Sequence, residues 1–544
     1  MRLKPGAKVF LAIVIVVLFV AGAYRFGWLN PVVKLVAPER RPAGTIEQSD
    51  WTFGNQGAGQ TQRGQDGQAA TQSPPTTESA PLARPIKVGI VTYGGFAGGL
   101  LENDGVASGK ECDYYKDYGL EVEFQVIDDL GAMADAFKAG GDKGGLDLMA
   151  TTADMFALQY AAMESLKPVT VMQTDWSRGA DAIAVAKGIT NASGLRGKRV
   201  AVAEASPSHF LLLYVLTQAG MTQNDIKPQF TASAMDAAQL FKAGKVDACV
   251  AWSPDVYIAA GSREGATILA STREATSLLG GTIVARGDFC NQHPSELTKF
   301  IRGWMDGVKK CEDDPDAAAA VLVKTFKVTN DDAVGMLGDL KLQGAEGNRQ
   351  FFKLGGDTLT GYDDLWISAN KIWKKIGLLE NTVRPDLTRN TYFLDEATKG
   401  MVPKTLAKPT EEFKFTAPSE TVKKQPPIVT KRITVYFATA SYALDPNAKQ
   451  VLEQAAELAQ TFGSTYIRIS GNTDSVGSRQ MNVELSRKRA QAVVNYLVSK
   501  YGFPKDKFIV VGNGPDKPVA SNDTEDGRAK NRRTDFEVIP QEQN

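Results

Sequence analysis

A helix-to-strand pattern occurs twice in this chain, and this repeat restricts the fold more than any other feature. FKAGGDKGGLDLMATTAD spans residues 137–154, and FKAGKVDACVAWSPD spans residues 241–255. Each copy contains FKAG, then a strand-like stretch that includes Asp147 or Asp247, then a polar turn that opens a helix. The distance between the copies suits two lobes of similar topology. The repeat therefore predicts a two-lobed domain.

The surrounding region, residues 85–400, alternates strand-like and helix-like stretches. IKVGIVTY, PVTVMQ and KRVAVA are apolar runs typical of buried strands, and HFLLLYVLTQAG is typical of a helix. Buried runs that alternate with helices indicate parallel sheets covered on both faces. We therefore predict an α/β fold for this domain.

Several polar stretches follow the predicted strands and are candidates for a ligand site. In open α/β sheets, ligands bind beyond the carboxyl ends of the strands, so the two turns of the repeat are expected to face each other across a cleft. EASPSHF places Ser206 as a helix N-cap with Pro207 after it, and a helix start offers N–H groups to an anion. The alternative, that these Ser-Pro starts are ordinary helix caps, stays open.

A family resemblance is carried by LRGKRVAVAEASPSHFLLLYVLTQAG, FKAGKVDACVAWSPD and VARGDF. These segments resemble the solute-binding proteins of nitrate, sulfonate and taurine-type ABC importers. The resemblance implies a type II periplasmic binding fold, in which two hinged α/β lobes close on a small molecule. It implies an oxyanionic solute and an ABC permease or another envelope protein as partner. Six positions are the implied solute contacts: Thr92, Tyr93, Thr152, Ser206, Ser208 and Trp252.

A second, smaller domain is expected at residues 431–541. ITVYFATASYAL begins with a strand, residues 445–462 are amphipathic at helical spacing, and YIRIS, FIVVG and TDFEVI are strand-like. A second helix is predicted over residues 482–500. The pattern indicates a compact α+β sandwich that is large enough to fold alone.

An acid and a base in this second domain are a candidate ligand pair. Asp474 lies in the loop GNTDSVGS, and Arg489 lies on the predicted helix, away from its core face. Opposite charges held by separate elements can bind a zwitterion, because the carboxylate takes an ammonium and the guanidinium takes a carboxylate. The alternative is a surface ion pair of about 1 kcal/mol or less.

The ordered motifs VYFATASYALDPNAKQVLEQAAELAQ, IRISGNTDSVGS, NVELSRKRAQAVVNYL and GNGPDKPVASNDTEDGRAKNRR closely resemble the OmpA-like peptidoglycan-binding domain. The resemblance implies that the domain grips the diaminopimelate side chain of the wall stem peptide, whose free end carries an amine and a carboxylate. It implies six binding residues: Asp474, Arg489, Thr473, Asn482, Leu485 and Arg532. Many members have His where this chain has Asn472, a departure that leaves both charges in place.

The N-terminal residues determine the expected compartment. Residues 9–24 are uncharged and follow a basic start, so we predict a transmembrane anchor over residues 9–25 with residues 1–8 in the cytoplasm. A cleaved signal peptide is the alternative, which would leave a soluble periplasmic protein. Residues 26–84 contain a stretch rich in Gly and Gln, which predicts a disordered tether. Residues 401–430 are predicted to form a second linker. The expected location is the inner membrane, with periplasmic domains.

Composition and motifs exclude several function classes. Lys plus Arg and Asp plus Glu both total 62, so we expect no nucleic-acid partner. The chain has two histidines and neither a GxSxG elbow nor a Walker A loop, so we predict no enzyme, no metal and no cofactor. His209 is expected to face solvent or cap a helix. Among the four cysteines, a Cys290–Cys311 disulfide is one option, and Cys249 is predicted to be a buried thiol.

These observations predict an envelope-tethered receptor that binds peptidoglycan and a small solute, for transport or sensing. The alternative is a structural adaptor whose binding-protein-like domain docks another protein.

Overall fold

The computed structural model describes residues 82–355, 360–402, 406, 410, 412–435, 437 and 441–541. The chain divides into two units, Met1–Ile46 and Glu47–Asn544. The predicted anchor and almost all of the predicted tether lie outside the described residues. Within the described ranges, no helix is long and apolar enough to cross a membrane.

The strands are numbered along the chain. They are β1 Ile86–Ile90, β2 Val122–Val126, β3 Leu148–Thr152, β4 Val169–Ser177, β5 Asp181–Val185, β6 Arg199–Ala203, β7 Lys227–Thr231, β8 Ala248–Trp252, β9 Thr267–Ser271, β10 Gly280–Ala285, β11 Leu340–Leu342, β12 Val429–Ile433, β13 Tyr466–Asn472, β14 Phe508–Gly514 and β15 Thr534–Ile539.

The α-helices are numbered in the same way. They are α1 Ala97–Glu102, α2 Asp113–Tyr118, α3 Leu130–Ala139, α4 Ala153–Gln159, α5 Pro207–Gln218, α6 Ala234–Lys242, α7 Asp255–Gly261, α8 Gly287–Gln292, α9 Pro294–Asp313, α10 Pro315–Phe326, α11 Asn330–Gly338, α12 Ala345–Phe351, α13 Tyr362–Lys375, α14 Tyr392–Ala397, α15 Glu420–Lys424, α16 Pro446–Val451, α17 Glu453–Thr461, α18 Arg479–Tyr501 and α19 Glu525–Asn531.

Three sheets organise these elements. The first lobe has six strands in the order β11-β4-β10-β3-β1-β2, and the second lobe has five in the order β7-β6-β8-β5-β9. The C-terminal domain has a four-stranded sheet in the order β12-β15-β13-β14. The predicted two-lobed α/β domain followed by a smaller domain is therefore the arrangement found.

The lobe sheets are mixed, so the prediction of parallel sheets is wrong for β10 and β11 in the first lobe and for β5 in the second lobe. β10 runs antiparallel to β3 and β4, β11 runs antiparallel to β4, and β5 runs antiparallel to β8 and β9. For β5 and β10 the reason is that the chain passes between the lobes twice, from β4 to β5 and from β9 to β10. After each passage the chain enters the sheet of the other lobe in the direction opposite to the neighbouring strands. We call residues 178–180 the first crossing and residues 272–279 the second crossing.

The sequence repeat is confirmed as a structural repeat. In the first lobe α3 leads into β3 and α4, and in the second lobe α6 leads into β8 and α7. The repeated aspartates have equivalent partners, since Asp147 pairs with Arg84 and accepts from Lys87 N, while Asp247 pairs with Arg199 and accepts from its N–H. Each carboxylate therefore fixes the start of its strand against a neighbouring strand.

Helix α5 is apolar on all of its faces because it is covered from three directions. Its N-terminus is defined by the Ser206 cap and by Pro207 at the first helical position. It packs on β5 and β8 of its own lobe, on α13 of the first lobe, and on β12 of the C-terminal domain. Tyr214 on this helix lies against Phe462 of the C-terminal domain, with ring centroids 6.3 Å apart. A helix apolar all round is a buried helix, and this one links the three parts.

The C-terminal sheet is covered by the long helix α18. Gly471 and Gly512 permit this approach, because a Cβ at either position would clash with the backbone or with the Arg487 side chain of the helix. The predicted helix over residues 445–462 is interrupted: α16 ends at Val451 and α17 begins at Glu453.

The segment before β12 and the C-terminal domain contact the two crossings between the lobes. Glu412, in the segment before β12, pairs with Arg178 of the first crossing and with Lys341 of β11. At the second crossing, Ser464 Oγ donates to the Arg273 carbonyl and Gly463 N donates to Thr276 Oγ1 over 3.2 Å. The relative position of the lobes is thus set in part by the C-terminal domain.

All four cysteines are free and buried. Cys290 and Cys311 lie on the consecutive helices α8 and α9, and no bond joins them, so the disulfide option is not realised. Burial raises the pKa of the Cys249 thiol to about 12, which keeps it protonated.

Candidate functional site

Two buried aspartates flank the first crossing between the lobes. Asp175 lies near the end of β4 and Asp181 begins β5, and both side chains are buried. Ser177 Oγ donates to Asp181 Oδ2 over 3.2 Å and lies 2.8 Å from Thr272 Oγ1 of the second crossing. Because Thr272 N also donates to the Asp181 carbonyl, both crossings are tied into one polar network.

Two of the predicted solute contacts, one from each lobe, each donate a hydrogen bond to one of these aspartates. Tyr93 follows β1, and its hydroxyl donates to Asp175 Oδ2 over 2.8 Å. Ser208 is in the first turn of α5, and its hydroxyl donates to Asp181 Oδ1 over 2.8 Å. Thr174 Oγ1 adds a second donor to Asp175 over 2.7 Å. Each of these hydrogen bonds stays within one lobe, and Ser177 of β4, which donates to Asp181 of β5, makes the hydroxyl–carboxylate contact between the lobes.

A third aspartate lies at the end of the repeated turn in the first lobe. Asp154 is in the first turn of α4 and only 2% exposed, and its carboxylate lies beside the Thr152 hydroxyl and the backbone N–H groups of Asp154 and Met155. The predicted contact Thr152 ends β3 and is the N-cap residue of α4. The Asp154 carboxylate therefore complements the positive end of a short helix.

Burial shifts the titration of all three carboxyl groups. Burial raises the pKa of Asp154 to about 7, and the charge of Asp181 adds to the increase. Burial raises the pKa of Asp175 to about 6, against the stabilising hydrogen bonds from Thr174 and Tyr93. Burial also raises the pKa of Asp181 to about 6, although Ser208 and Ser177 donate to it. Perturbed groups in a cleft mark a candidate functional site.

The remaining predicted solute contacts lie elsewhere or have other partners. Thr92 is exposed, and its hydroxyl donates to Asp128 Oδ2 over 3.0 Å. Ser206 is the predicted N-cap: its Oγ accepts from His209 N and donates to the Ala203 carbonyl. Trp252 ends β8, opposite Asp181 in the strand register, and is 42% exposed.

His209 is buried, so the expectation that it faces solvent is wrong, whereas the capping alternative fits its contact with a backbone N–H at the start of α5. Its Nδ1 accepts from Ala205 N, and its Nε2 lies 2.8 Å from Gln223 Oε1. The ring packs edge-on to Phe230 and to Trp373, which belongs to the first lobe. Burial lowers its pKa to about 4, so the imidazole is neutral and helps to join the lobes.

The three buried aspartates have no cationic partner among the ion pairs. No ion pair of the described residues joins Asp154, Asp175 or Asp181 to a Lys, Arg or His. Pockets of about 430 and 520 Å³ lie elsewhere, one around Cys112 and one around Leu240. In the described ranges, no group of three or more His, Cys, Asp or Glu is arranged to hold a metal ion.

The second candidate site is formed by the loop between β13 and α18. Ser478 caps α18 by accepting from Met481 N, and Asn482 Nδ2 donates to the Val476 carbonyl over 2.9 Å. Thr473 N donates to the Gly514 carbonyl, and its hydroxyl donates to the carbonyl of Asp474. Thr473 and Asn482 thus fix the loop against β14 and the helix.

Asp474 forms its direct ion pair with Arg532 rather than with Arg489. Arg532 Nη1 lies 2.8 Å from Asp474 Oδ2, and Arg532 Nη2 lies 2.8 Å from Glu525 Oε1. The other oxygen, Asp474 Oδ1, accepts from Val476 N over 3.0 Å. The Asp474 side chain is 13% exposed and therefore held in one orientation while still reachable.

Arg489 lies in the same charged group but has different contacts. Its Nε donates to the Ser441 carbonyl over 3.0 Å, and its guanidinium lies over the Phe437 ring at 4.9 Å. Burial lowers the pKa of Arg489, an effect that the Asp474 charge opposes and the Arg532 charge reinforces. Two guanidinium groups therefore flank one carboxylate.

Two neighbouring residues have supporting positions. Leu485 is half-buried on α18 between Asn482 and Arg489. Asn472, at the position where His is common, is buried: its Nδ2 donates to Asp535 Oδ2 over 3.0 Å, and its Oδ1 accepts from Asn513. Asn472 therefore supports the sheet edge below the loop.

Comparisons with known proteins cover both domains. Residues 104–318 match the family described as NMT1/THI5 like, and residues 436–532 match the OmpA family. The C-terminal segment is 39% identical over 104 residues to Outer membrane protein A of Bordetella avium, covering 19% of this chain and 53% of that protein. It is 36% identical over 104 residues to Peptidoglycan-binding protein ArfA of Mycobacterium tuberculosis, covering 19% of this chain and 32% of that protein. The chain thus spans about half or less of the length of these relatives.

Two solved structures are similar to the lobed domain. One is the periplasmic aliphatic sulphonate binding protein SsuA from Escherichia coli, at 19% identity and a TM-score of 0.46, covering 58% of this chain and 100% of that chain. The other is the periplasmic nitrate-binding protein NrtA from Synechocystis PCC 6803, at 14% identity and a TM-score of 0.47, covering 61% and 93%.

Both resemblances found in the sequence are confirmed by the family matches. The chain thus contains one segment that matches the NMT1/THI5-like family model, residues 104–318, and one that matches the OmpA family model, residues 436–532.

Proposed function

We propose that this chain is a cell-envelope receptor that attaches to peptidoglycan through its C-terminal domain and binds a small solute between its lobes. Its role is binding rather than catalysis. The two domains are in contact, so a solute-occupied receptor would be held at the wall. We place the domains in the periplasm, with residues 9–25 as an inner-membrane anchor.

The wall-binding half of the proposal is carried by the flanked carboxylate of Asp474. An ammonium is attracted to this carboxylate, and a carboxylate is attracted to the guanidinium groups of Arg489 and Arg532. The free end of a diaminopimelate stem peptide carries both groups on one carbon. Such an end would replace the Asp474–Arg532 pair with two new ion pairs, so little charge would be left unpaired.

The named relatives point in the same direction. One of them is called a peptidoglycan-binding protein, and it is similar to this chain over the C-terminal domain alone. The role that we assign to Thr473, Asn482 and Leu485 is to hold the loop in place against α18.

Co-sedimentation with purified, diaminopimelate-containing sacculi tests the wall-binding half. The full chain is expected to pellet with the sacculi, and Asp474→Asn and Arg489→Gln are each expected to reduce the pelleted fraction at least tenfold. Arg479→Gln is the matched control, because Arg479 is on the same helix but pairs with Asp516 at an exposed position. Unchanged pelleting of Asp474→Asn would contradict the assignment.

The solute-binding half rests on the geometry of the crossings. Tyr93 and Ser208 come from different lobes, and each donates to a buried aspartate beside the first crossing, Asp175 and Asp181 respectively. Buried polar groups between two lobes are a typical place for ligand binding. Transport through an ABC permease and sensing are both compatible with a receptor of this design.

The second candidate function is a structural adaptor that docks a partner protein. One observation favours it: Glu412 and the C-terminal domain contact both crossings between the lobes. Thermal unfolding with a panel of small solutes distinguishes the candidates. A receptor gains stability with at least one solute, whereas an adaptor gains none.

A further inference from the structure

We propose that residues 412–428 and the C-terminal domain together form a clamp on the hinge between the lobes, and that the lobes change their relative angle only after the clamp is released. Solute exchange in the proposed receptor would then depend on the docking of the C-terminal domain. That consequence rests on the proposed function, whereas the clamp itself does not.

The hinge consists of the two crossings, residues 178–180 and residues 272–279. The chain passes between the two lobe sheets at these places. A relative rotation of the lobes must therefore be absorbed by dihedral changes in these short segments. Contacts that fix the crossings also fix the angle between the lobes.

Arg273 of the second crossing is connected to both lobes. Its Nη2 lies 2.9 Å from Asp339 Oδ1, just before β11 of the first lobe. Its guanidinium lies over the ring of Tyr257, on α7 of the second lobe, at 5.4 Å from the ring centroid. The Tyr257 hydroxyl donates in turn to the Gly179 carbonyl of the first crossing over 2.6 Å. One side chain thus connects the two lobes beside both crossings.

The C-terminal domain holds the backbone of this second crossing. Ser464 Oγ donates to the Arg273 carbonyl. Ser277 N donates to the Thr461 carbonyl over 3.3 Å. A dihedral change in the crossing would break these hydrogen bonds unless the C-terminal domain moved with it.

The turn at residues 462–465 has a fixed shape that suits this contact. Gly463 N donates to Thr276 Oγ1 over 3.2 Å, and a Cβ added at Gly463 would lie 2.4 Å from the same oxygen. Lys507 is 1% exposed, and its Nζ donates to three carbonyls of residues 462–465. A buried ammonium is costly unless its donors are satisfied, so the lysine and the turn fix each other.

Residues 412 and 413 hold the first crossing. Glu412 Oε1 lies 3.1 Å from Arg178 Nη2 of this crossing and 3.0 Å from Lys341 Nζ of β11. The Arg178 guanidinium lies over the Phe413 ring at 5.2 Å from the ring centroid. Phe413 also lies against the turn, since a Cβ at Gly463 would be 2.9 Å from Phe413 Cε2. The contacts at the two crossings therefore belong to one continuous surface.

The clamp contacts the second lobe as well. Ala192 N of this lobe donates to the Ile428 carbonyl over 2.9 Å. Tyr214 of α5 lies against Phe462, the first residue of the turn. Because the same clamp holds Lys341 in the first lobe, a rotation of either lobe would break some of its contacts.

Pulsed dipolar spectroscopy with two spin labels measures the separation of the lobes without solute or peptidoglycan. Leu130→Cys and Met235→Cys supply the labelling sites, because both side chains are exposed and begin the equivalent helices α3 and α6 of the repeat. The four native cysteines are buried, which directs the labels to the introduced ones. We expect a single narrow distance distribution for the labelled chain with an intact clamp.

Two variants release the clamp in different ways. Gly463→Val places a branched side chain against the second crossing. Glu412→Gln combined with Ser464→Ala removes two ion pairs and one hydrogen bond without adding bulk. We expect either variant to widen the distance distribution at least twofold. Glu420→Gln is the matched control and should keep the narrow distribution, because Glu420 is in the same segment but pairs with Lys423 at an exposed position.

Two outcomes would overturn the clamp. One is a broad distance distribution in the labelled chain that carries no clamp variant. The other is a narrow distribution that persists in Glu412→Gln/Ser464→Ala, which would show that the lobes are held by their own contacts. If Gly463→Val fails to fold by circular dichroism, the double variant decides. Since neither solute nor peptidoglycan is present, each of these results leaves both halves of the proposed function standing.

Discussion

Replacing Asp154 with asparagine should change how the stability of the ligand-free protein depends on pH. In an unfolded chain an aspartate has its ordinary pKa near 3.8, whereas burial raises the pKa of Asp154 to about 7 in the folded state. Between these two values the folded protein keeps a proton that the unfolded chain has released. Stability therefore falls as the pH rises through this interval.

The size of the effect follows from the shift. One pKa unit corresponds to about 1.4 kcal/mol, so the destabilisation reaches about 4 kcal/mol above pH 7 and is about 1.5 kcal/mol at pH 5. The wild-type protein should thus lose about 2–3 kcal/mol more than Asp154→Asn between pH 5 and pH 8. Asp175 and Asp181 titrate in both proteins, so their contributions largely cancel in the comparison.

Urea-induced unfolding at pH 5 and at pH 8, without added solute, measures this difference. We expect Asp154→Asn to be the more stable protein at pH 8, with a smaller advantage at pH 5. Asp255→Asn, at the equivalent position in the second copy of the repeat, should follow the wild-type pH dependence. If Asp154→Asn and the wild type lost the same free energy of unfolding between the two pH values, burial would not raise the pKa of Asp154.

Three further predictions concern the contact at the first crossing, the interior of the C-terminal domain and the cysteines. Glu412→Gln removes the ion-pair partner of Arg178, whose side chain is 11% exposed. It should lower the free energy of unfolding by about 1–3 kcal/mol in urea denaturation, and an unchanged midpoint would contradict a stabilising role of this ion pair. Lys507 Nζ donates to three carbonyls of residues 462–465, so Lys507→Met should cost about 2–4 kcal/mol by the same assay, and wild-type stability would refute this. The four buried thiols should react with a thiol reagent only after unfolding, which mass spectrometry of the alkylated chain measures; a disulfide in the native protein would show as two unmodified cysteines.

Much of the fold could be predicted from local pattern. The alternation of apolar runs and helices identified the two lobes, and the FKAG repeat identified their common topology. The strand directions of β5 and β10 could not be read in this way, because an apolar run has the same pattern in either direction. Only the double passage between the lobes determines that these strands enter antiparallel.

The candidate sites divide in a similar way. Tyr93 and Ser208 follow strands and mark the cleft, but Asp175 and Asp181 were missed because an aspartate near a strand end also suits an ordinary turn. Asp154 was missed for the same reason, because an acid in the first turn of a helix suits the helix dipole whether or not it is buried.

In the C-terminal domain, the loop and helix were identified correctly, while the direct partner of Asp474 was not. Fifteen positions along the chain separate Asp474 from Arg489, and the sequence pattern places both near one end of a helix. Arg532 reaches the same carboxylate from the end of α19. Such a contact depends on how β13 and β15 pair, which the spacing of charges does not reveal.

The most direct test of wall attachment compares two muropeptides that differ in a single group. A stem peptide ending in diaminopimelate presents an ammonium and a carboxylate, whereas one with lysine presents the ammonium alone. Titration of the full chain should give at least tenfold tighter binding of the diaminopimelate form, and this preference should disappear in Arg489→Gln. Equal affinity of the wild-type chain for both muropeptides would contradict recognition of a zwitterion by Asp474 and its two flanking arginines.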